Sequence, residues 1–331
     1  MSTVRNIKIA GTGSYVPKRV LTNKDLEGIV QTSDEWIVQR TGIRERRIKA
    51  EDESTASMSL TAARRALEAA ELDPKDLQFI VAGTVTPDYP FPSVGCLLQT
   101  RLGCGNIPAF DVSAACTGFI YGVGIASEFI RSGRIDNALA IGAESLSTIT
   151  DYEDRGTCVL FGDGAGAVIL RAVEGESGGR IIGYDIRADG GGAELMYIPG
   201  GGSLMPVSSE VVEKRLQFMK MKGRDIFRFA VERFVEQIGI SLEKGGLKPS
   251  DVNLVIPHQV NIRIITAAVK KLDIPLERVM LNIDRYGNTS AASVPIALDE
   301  AVRGGRLRRG HKGIMLAFGA GLTWGSIVFE Y

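Results

Sequence analysis

Residues 67–81, LEAAELDPKDLQFIV, are echoed 175 positions later by residues 242–256, LEKGGLKPSDVNLVI. Leu67, Glu68, Leu72, Pro74 and Asp76 recur as Leu242, Glu243, Leu247, Pro249 and Asp251, and most other apolar positions match in kind. Each copy reads as the end of an amphipathic helix, a proline turn and a buried strand. A second echo follows in the same order. RSGRI (131–135) matches RGGRL (303–307) at a shift of 172, and each is followed by an apolar strand, ALAIGAE (138–144) and GIMLAFGA (313–320). Two echoes in order, at nearly one offset, argue for a duplicated α/β unit with a short insertion between them. The boundary is expected near residues 172–180, where AVEGESGGR reads as a polar connector, dividing the chain into 1–175 and 176–331. At the second shift Cys116 aligns with Asn288. Both follow strand-like runs, IPAFDVSAA (107–115) and VMLNIDRYG (279–287), and both precede helices.

Composition narrows the function. With 39 Lys plus Arg against 39 Asp plus Glu among 331 residues, there is no basic excess of the kind a nucleic-acid binder carries. No apolar run is long enough to span a bilayer, and MSTVRNIKIAGTGSYVP has no signal-peptide core, so a cytoplasmic location is expected. None of the four cysteines forms a CxxC pair, which argues against a zinc site or a disulfide framework. The Gly runs GTGSY (11–15) and FGDGAGA (161–167) look like dinucleotide loops. The second runs into VILRA, a strand where a phosphate loop needs a helix, and that reading is rejected.

Three residues carry the candidate chemistry. Cys116 opens CTGFIYGVGIASEFI, an apolar central helix whose N-terminal dipole is expected to favour thiolate. A plain core cysteine is the alternative. The others sit in a helix-like stretch (Cys96), a Gly turn (Cys104) and the strand-like TCVLF (Cys158). His258 ends the strand DVNLVIP just before a helix, a usual place for chemistry in α/β folds, while His311 in RRGHKG reads as surface. Asn288, in RYGNTSAAS, offers an amide that hydrogen-bonds a developing oxyanion without titrating; a helix cap is the alternative. AFGAGLTWG (317–325), at a strand end, is a candidate source of an oxyanion N–H. In TSDEWIVQRTGIRERR (32–47), Trp36 and Arg40 share a helix face, which suits an aromatic base and a phosphate or an ordinary surface pair.

Taken together, DVSAACTGF, IPHQVNIR, YGNTSAAS and FGAGLTWG, with TSDEWIVQRTGIRERR and DRGTCVLFGDGAGA, resemble the β-ketoacyl-acyl-carrier-protein synthase III family over nearly the whole chain. The resemblance implies an α/β thiolase-like fold of two pseudo-symmetric βαβαβαββ halves in five layers, as a homodimer. It implies condensation of a short acyl-CoA with malonyl-acyl-carrier protein, with no metal or redox cofactor. It places the catalytic residues at Cys116, His258 and Asn288, and the oxyanion amides at Cys116 and Ala320. CoA contacts fall on Thr32, Trp36, Arg40, Arg155 and Arg224, with Trp36 and Arg155 flanking the adenine. Phe91 reaches the partner's acyl pocket. Carrier-protein contacts fall on Gln259, Val260, Asn261, Ile262 and Arg263, extended by Lys270 and Lys271 into a basic patch for an acidic carrier. Departures are Val260 for a common Ala, Arg224 for another polar residue, Ala320 for a common Gly, and a long segment at 190–218. Three rivals stand beside this reading. One is a relative serving another acyl acceptor, in quinolone, hydrocarbon or polyketide synthesis. Another is a Cys-His-Asn thioester hydrolase, against which the absence of a papain-type context counts. The third is a non-catalytic CoA-binding or scaffold protein, which would tolerate loss of Cys116.

Overall fold

The computed structural model describes residues 5–173 and 179–331. The connector expected at 172–180 falls largely on residues 174–178, outside the described residues.

The core is built on two mixed sheets. In the first, the strands run in the order Asn6–Tyr15, Gly164–Val173, Asn137–Glu144, Ile80–Gly83, Ala109–Val112. Neighbours among the first three are antiparallel, and the last three are parallel. The second repeats that order from Arg180–Ala188 through Thr323–Glu330 and Lys312–Gly319 to Leu254–Pro257, with the same alternation of directions. Parallel strands need long crossovers, which here are helices. The helices Gly118–Arg131 and Ser293–Arg303 pack between the sheets in a core that includes Phe119, Ile120, Val294, Leu298 and Met315. Thr55–Ala69 and Gly223–Gly245 cover outer faces. Among the described residues no helix is long and apolar enough to cross a membrane.

The two sequence echoes land on equivalent elements: proline turns at Pro74–Asp76 and Pro249–Asp251, then strands Ile80–Gly83 and Leu254–Pro257. The alignment of Cys116 with Asn288 is corrected. Matching tight turns, Ala115–Thr117 and Ser290–Ala292, precede the two central helices, and Ala115 and Ser290 share a positive φ of 45° and 47°. Cys116 is thus the counterpart of Ala291. The helices begin at one shift and end at the other because Ser293–Arg303 has 11 residues against 14 in Gly118–Arg131, about one turn fewer.

Two expected strands are absent. VMLNIDRYG keeps one bridging pair, Val255 with Val279, and then turns into a short helix, Ile283–Tyr286. The Gln259 side chain replaces the ladder: its Nε2 donates to Pro257 and Met280 carbonyls, and its Oε1 accepts from the Asn282 and Ile283 N–H groups. Cys158 ends a short helix, Arg155–Cys158, because the Asp154 side chain caps its first turn.

The central turns meet the sheet at glycines. A Cβ on Gly142 would stand 2.0 Å from the Ala291 carbonyl oxygen, and one on Gly83 2.3 Å from the Gly118 carbonyl carbon. Gly142→Ala forces backbone apart, and we expect it to cost roughly 3 kcal/mol of stability, whereas Gly105→Ala, in open space, should change it by less than about 0.5 kcal/mol. Denaturant midpoints of the two variants measure the difference.

Candidate active site

Cys116 lies in the tight turn before the helix Gly118–Arg131 and is 4% exposed. Hydroxyls hold this turn against the hairpin at 319–323. Thr117 Oγ1 donates to the Ala114 carbonyl at 2.6 Å and lies 2.7 Å from Thr323 Oγ1, which in turn is 3.0 Å from the Ala320 carbonyl. A Cβ on Gly319 would stand 2.7 Å from the Cys116 backbone nitrogen, so only glycine lets the strand end come this close. Ala320 lines both cavities at Cys116, and its φ lies outside the positive region, so its Cβ adds no strain.

One cavity, of about 40 Å³, brings Cys116, His258, Asn288 and Ala320 together beneath Phe318 and Met221. His258 follows the strand Leu254–Pro257, fixed by its N–H to the Leu316 carbonyl at 2.8 Å. The imidazole is fully buried with both nitrogens unpartnered. Burial holds it neutral, lowering its pKa to about 3. A buried ring with two unused nitrogens is prepared for a ligand. Asn288 is pinned by its N–H to Leu160 and its carbonyl to the Gly162 N–H. Its side-chain Oδ1 accepts from the Ser290 N–H at 2.8 Å, which leaves the donor end of the amide for a bound molecule.

The second cavity, about 220 Å³, shares Cys116 and Ala320 and is walled by Leu146, Ile149, Phe161 and Met219. Ser290 also faces it and donates to Glu144 Oε1 at 3.1 Å. Glu144, the last residue of its strand, is wholly buried, and burial raises its carboxyl to about 7.

The expected acidification of Cys116 is overturned. Burial, reinforced by the nearby Glu144 carboxylate, pushes the thiol up to about 12. The resting nucleophile candidate is a thiol.

The remaining predicted site residues lie outside these two cavities, with one exception. Val260 reaches the smaller one. Trp36 is half-buried, and the guanidiniums of Arg40 and Arg155 lie over its ring at 4.7 and 4.8 Å from the centroid. At that distance no base fits between Trp36 and Arg155; the exposed Arg155, bonded to the Gln31 carbonyl, must swing out to admit one. The Thr32 hydroxyl is buried without a partner. Arg224, Arg263, Lys270 and Lys271 are exposed. Asn261 caps the helix Ile262–Lys270 and donates to the Arg40 carbonyl, tying that helix to Asp34–Thr41. Ile262 is half-buried and packs near Gly42. Gln259 is corrected: at 1% exposure, with its amide spent on backbone, it offers no surface to a partner. Phe91 is 86% exposed. Sequence reasoning passed over Glu144 and Ser290. Both stood in quoted stretches, and an acid closing the apolar run ALAIGAE was the available signal.

Mixed sheets with flanking helices in this order are the α/β thiolase-like fold, the scaffold of a class of condensing enzymes. Residues 110–190 match the family described as 3-oxoacyl-[acyl-carrier-protein] synthase III, and residues 242–331 match its C-terminal part. The chain is 51% identical over 326 residues to the beta-ketoacyl-[acyl-carrier-protein] synthase III of Desulfitobacterium hafniense, covering 98% of each chain. The crystal structure of 3-oxoacyl-[acyl-carrier-protein] synthase III from Aquifex aeolicus superposes with a TM-score of 0.91 at 49% identity, covering 98% of this chain and 100% of that one. The priming β-ketosynthase of the R1128 polyketide pathway gives the same TM-score at 34% identity, covering 100% and 98%. The chain belongs to the β-ketoacyl-acyl-carrier-protein synthase III family.

A neutral His258 has a direct readout. The imidazole carbon resonance of His258, assigned by its loss in His258→Ala, should stay flat from about pH 5 to pH 8, since burial keeps the ring unprotonated across that range. A titration step inside it would refute the burial argument.

Proposed function

We propose that Cys116, His258 and Asn288 carry the family's two half-reactions in this chain. The enzyme is an acyltransferase that condenses acyl-CoA with malonyl-acyl-carrier protein to give 3-oxoacyl-acyl-carrier protein, CoA and carbon dioxide, initiating fatty acid biosynthesis. The observation that carries the residue roles is the single cavity shared by the sulfur, the unpartnered imidazole and the oriented amide.

The Cys116 thiolate attacks the acyl-CoA carbonyl while the N–H groups of Cys116 and Ala320 hold the oxyanion, and CoA leaves an acyl-enzyme. The acyl chain lies in the 220 Å³ apolar cavity. At about 30 Å³ per water-sized volume, that is room for a short chain, acetyl or a branched short acyl. Malonyl-carrier protein then presents its thioester oxygen to His258 and Asn288. Both are neutral donors, so they stabilise the enolate as carbon dioxide departs without quenching it by proton transfer. The enolate carbon attacks the acyl group and frees the thiolate.

CoA is read as held by Thr32, Trp36, Arg40, Arg155 and Arg224, with the adenine entering as Arg155 swings off Trp36. The carrier protein is read as meeting Arg263, Lys270 and Lys271, with Val260, Asn261 and Ile262 at the edge of that surface. Halves 1–175 and 176–331 are read as pseudo-symmetric and stacked in five layers, a reading supported by the repeated strand order. A homodimer is supported by Ala109–Val112 at an open sheet edge and by exposed Phe91, which would enter the partner's acyl pocket.

Cys116→Ala should form no acyl-enzyme from labelled acyl-CoA yet still decarboxylate malonyl-carrier protein; an acyl adduct on that variant would refute the nucleophile assignment. Arg263→Glu should raise the KM for malonyl-carrier protein roughly tenfold and leave that for acyl-CoA unchanged, and Trp36→Ala should do the reverse. Steady-state kinetics with each substrate varied separate the two surfaces.

A further inference from the structure

The 220 Å³ cavity has a core side, with Leu146, Ile149 and Phe161, and an outer side, with Met196, Tyr197, Ile198 and Met219. The outer residues stand at the two ends of the stretch 198–218, whose base is closed by a short ladder pairing Met196–Tyr197 with Lys220–Met221. That stretch folds on itself. The Gly200 N–H bonds the Leu216 carbonyl, the Gly201 N–H bonds the Met205 carbonyl, and Ser208 caps the helix Ser209–Glu213. Among the described residues, every hydrogen bond and ion pair made by residues 198–218 stays within the stretch, except those of Arg215. Arg215 grips Asp151 with two nitrogens: Nε lies 3.1 and 3.2 Å from the carboxylate oxygens and Nη2 2.5 Å from Oδ1. Its Nη1 is 3.1 Å from Glu153, and its guanidinium lies over the Phe218 ring. Arg215 has a left-handed φ of 55°, which a side-chain-bearing residue keeps only where its surroundings hold it. Asp151 is 4% exposed and fixed from its own side, its carboxylate accepting from the Glu153 N–H and its carbonyl from the Asp154 N–H. The other cation facing it is Lys220, at 3.5 Å. The Met219 N–H bonds the Ile149 carbonyl, so the ion pair and the wall meet on one turn, 149–154.

We propose that the Asp151–Arg215 ion pair is a latch that sets the length of the primer: it moors the stretch 198–218 on the turn 149–154 and so holds the outer wall of the cavity where a short acyl chain fits and a longer one does not. The inference rests on this cavity being the acyl site. Both members are positioning residues, since neither lines the cavity. A two-pronged guanidinium–carboxylate contact fixes direction as well as distance, and here the carboxylate is largely shielded from water. Without Arg215, Asp151 keeps the Glu153 N–H and Lys220, so its turn stays in place. The stretch keeps no polar tie of its own, and a ladder of two residue pairs does not hold such a hairpin alone. A longer acyl chain can then push Ile198 and Met219 outward. The length limit is thus imposed from outside the cavity by a charge pair, in addition to the bulk of the lining side chains.

The test compares Arg215→Ala and Asp151→Asn with the wild-type chain for kcat/KM on acetyl-, butyryl-, hexanoyl- and octanoyl-CoA, with malonyl-carrier protein saturating. Asn at 151 can still accept from the Glu153 N–H, and Arg215 is a partly exposed side chain, so the two variants perturb the fold in different ways. In each, the ratio of octanoyl to acetyl efficiency should rise at least about tenfold, with the acetyl value within about threefold of wild type. The double variant should match the single ones, because both changes break one contact. Chymotrypsin cleavage beside the exposed Leu204 should be about tenfold faster in each variant, as expected of a stretch released from its mooring. A pair with a merely structural role would lower the rate with every primer alike. Such a uniform loss, an unchanged ratio or unchanged cleavage overturns the latch. Ile149→Ala separates the latch from the reading beneath it, since it enlarges the cavity from the core side without touching the ion pair. If Ile149→Ala favours octanoyl-CoA and the two latch variants do not, the latch falls and the acyl site stands. If none of the three shifts the profile, the cavity is not the acyl site and both fall.

Discussion

Everything at this site follows from the exclusion of water from one sulfur atom. Burial holds the Cys116 thiol protonated, keeps His258 neutral and lifts Glu144 towards neutrality, three shifts with desolvation as their largest cause. The fold reaches that dryness by bringing backbone onto backbone. The two central turns close on the sheets at Gly142, Gly83 and Gly319, where a Cβ would meet main-chain atoms at 2.0, 2.3 and 2.7 Å. Side chains that would normally fill the space between a helix and a sheet are absent there, so the Cys116 turn and the strand end at Gly319 come into backbone contact.

A dry site changes what a side chain is for. Fixed dipoles act strongly where no solvent competes, and they need no reorganisation as charge develops. His258 and Asn288 fit that logic because neither carries charge before the reaction begins. Asn288 has its amide direction set by Ser290, and its backbone is pinned on both sides by residues 160 and 162. The oxyanion N–H proposed at Ala320 meets no strain from the alanine side chain, because the backbone angle there is an ordinary one.

Periodicity and echo made the scaffold legible, because strand, turn and helix signals are local. The doubled proline turn and the strands that follow it could be read from residues 67–81 and 242–256, whereas the grouping of Cys116, His258 and Asn288 came from the family resemblance of the motifs that hold them. The errors were of one kind. The shift of 172 was measured at a helix end, and the loss of a turn inside Ser293–Arg303 displaced its start. The strand at VMLNIDRYG failed because a distant side chain, Gln259, took over its hydrogen bonds. Thiol acidity was misjudged because a helix N-terminus is visible in sequence and depth of burial is not. Glu144 was passed over for the same reason: a carboxyl closing a strand looks solvated until its four partners are known.

The division between interior and surface follows from these energetics. The two cavities at Cys116 are nearly apolar, whereas the charged groups read as binding CoA stand exposed on Asp34–Thr41, Arg155–Cys158 and Gly223–Gly245, and those read as meeting the carrier protein on Ile262–Lys270 and at Lys271 just after it. The helices Asp34–Thr41 and Ile262–Lys270 are joined where Asn261 bonds the Arg40 carbonyl and where Ile262 fills the space that glycine leaves at position 42. A chain with no net charge can still attract an anionic carrier if its cations are grouped on one helix face, and exposed charges act chiefly on encounter. The buried residues then need only be complementary to the reacting thioester, which both substrates share. On the proposed reading, changing the acceptor requires a new surface, whereas changing the primer requires a new wall in the apolar cavity. That separation is consistent with a fold that superposes closely on a polyketide-priming relative while its sequence identity falls to 34%.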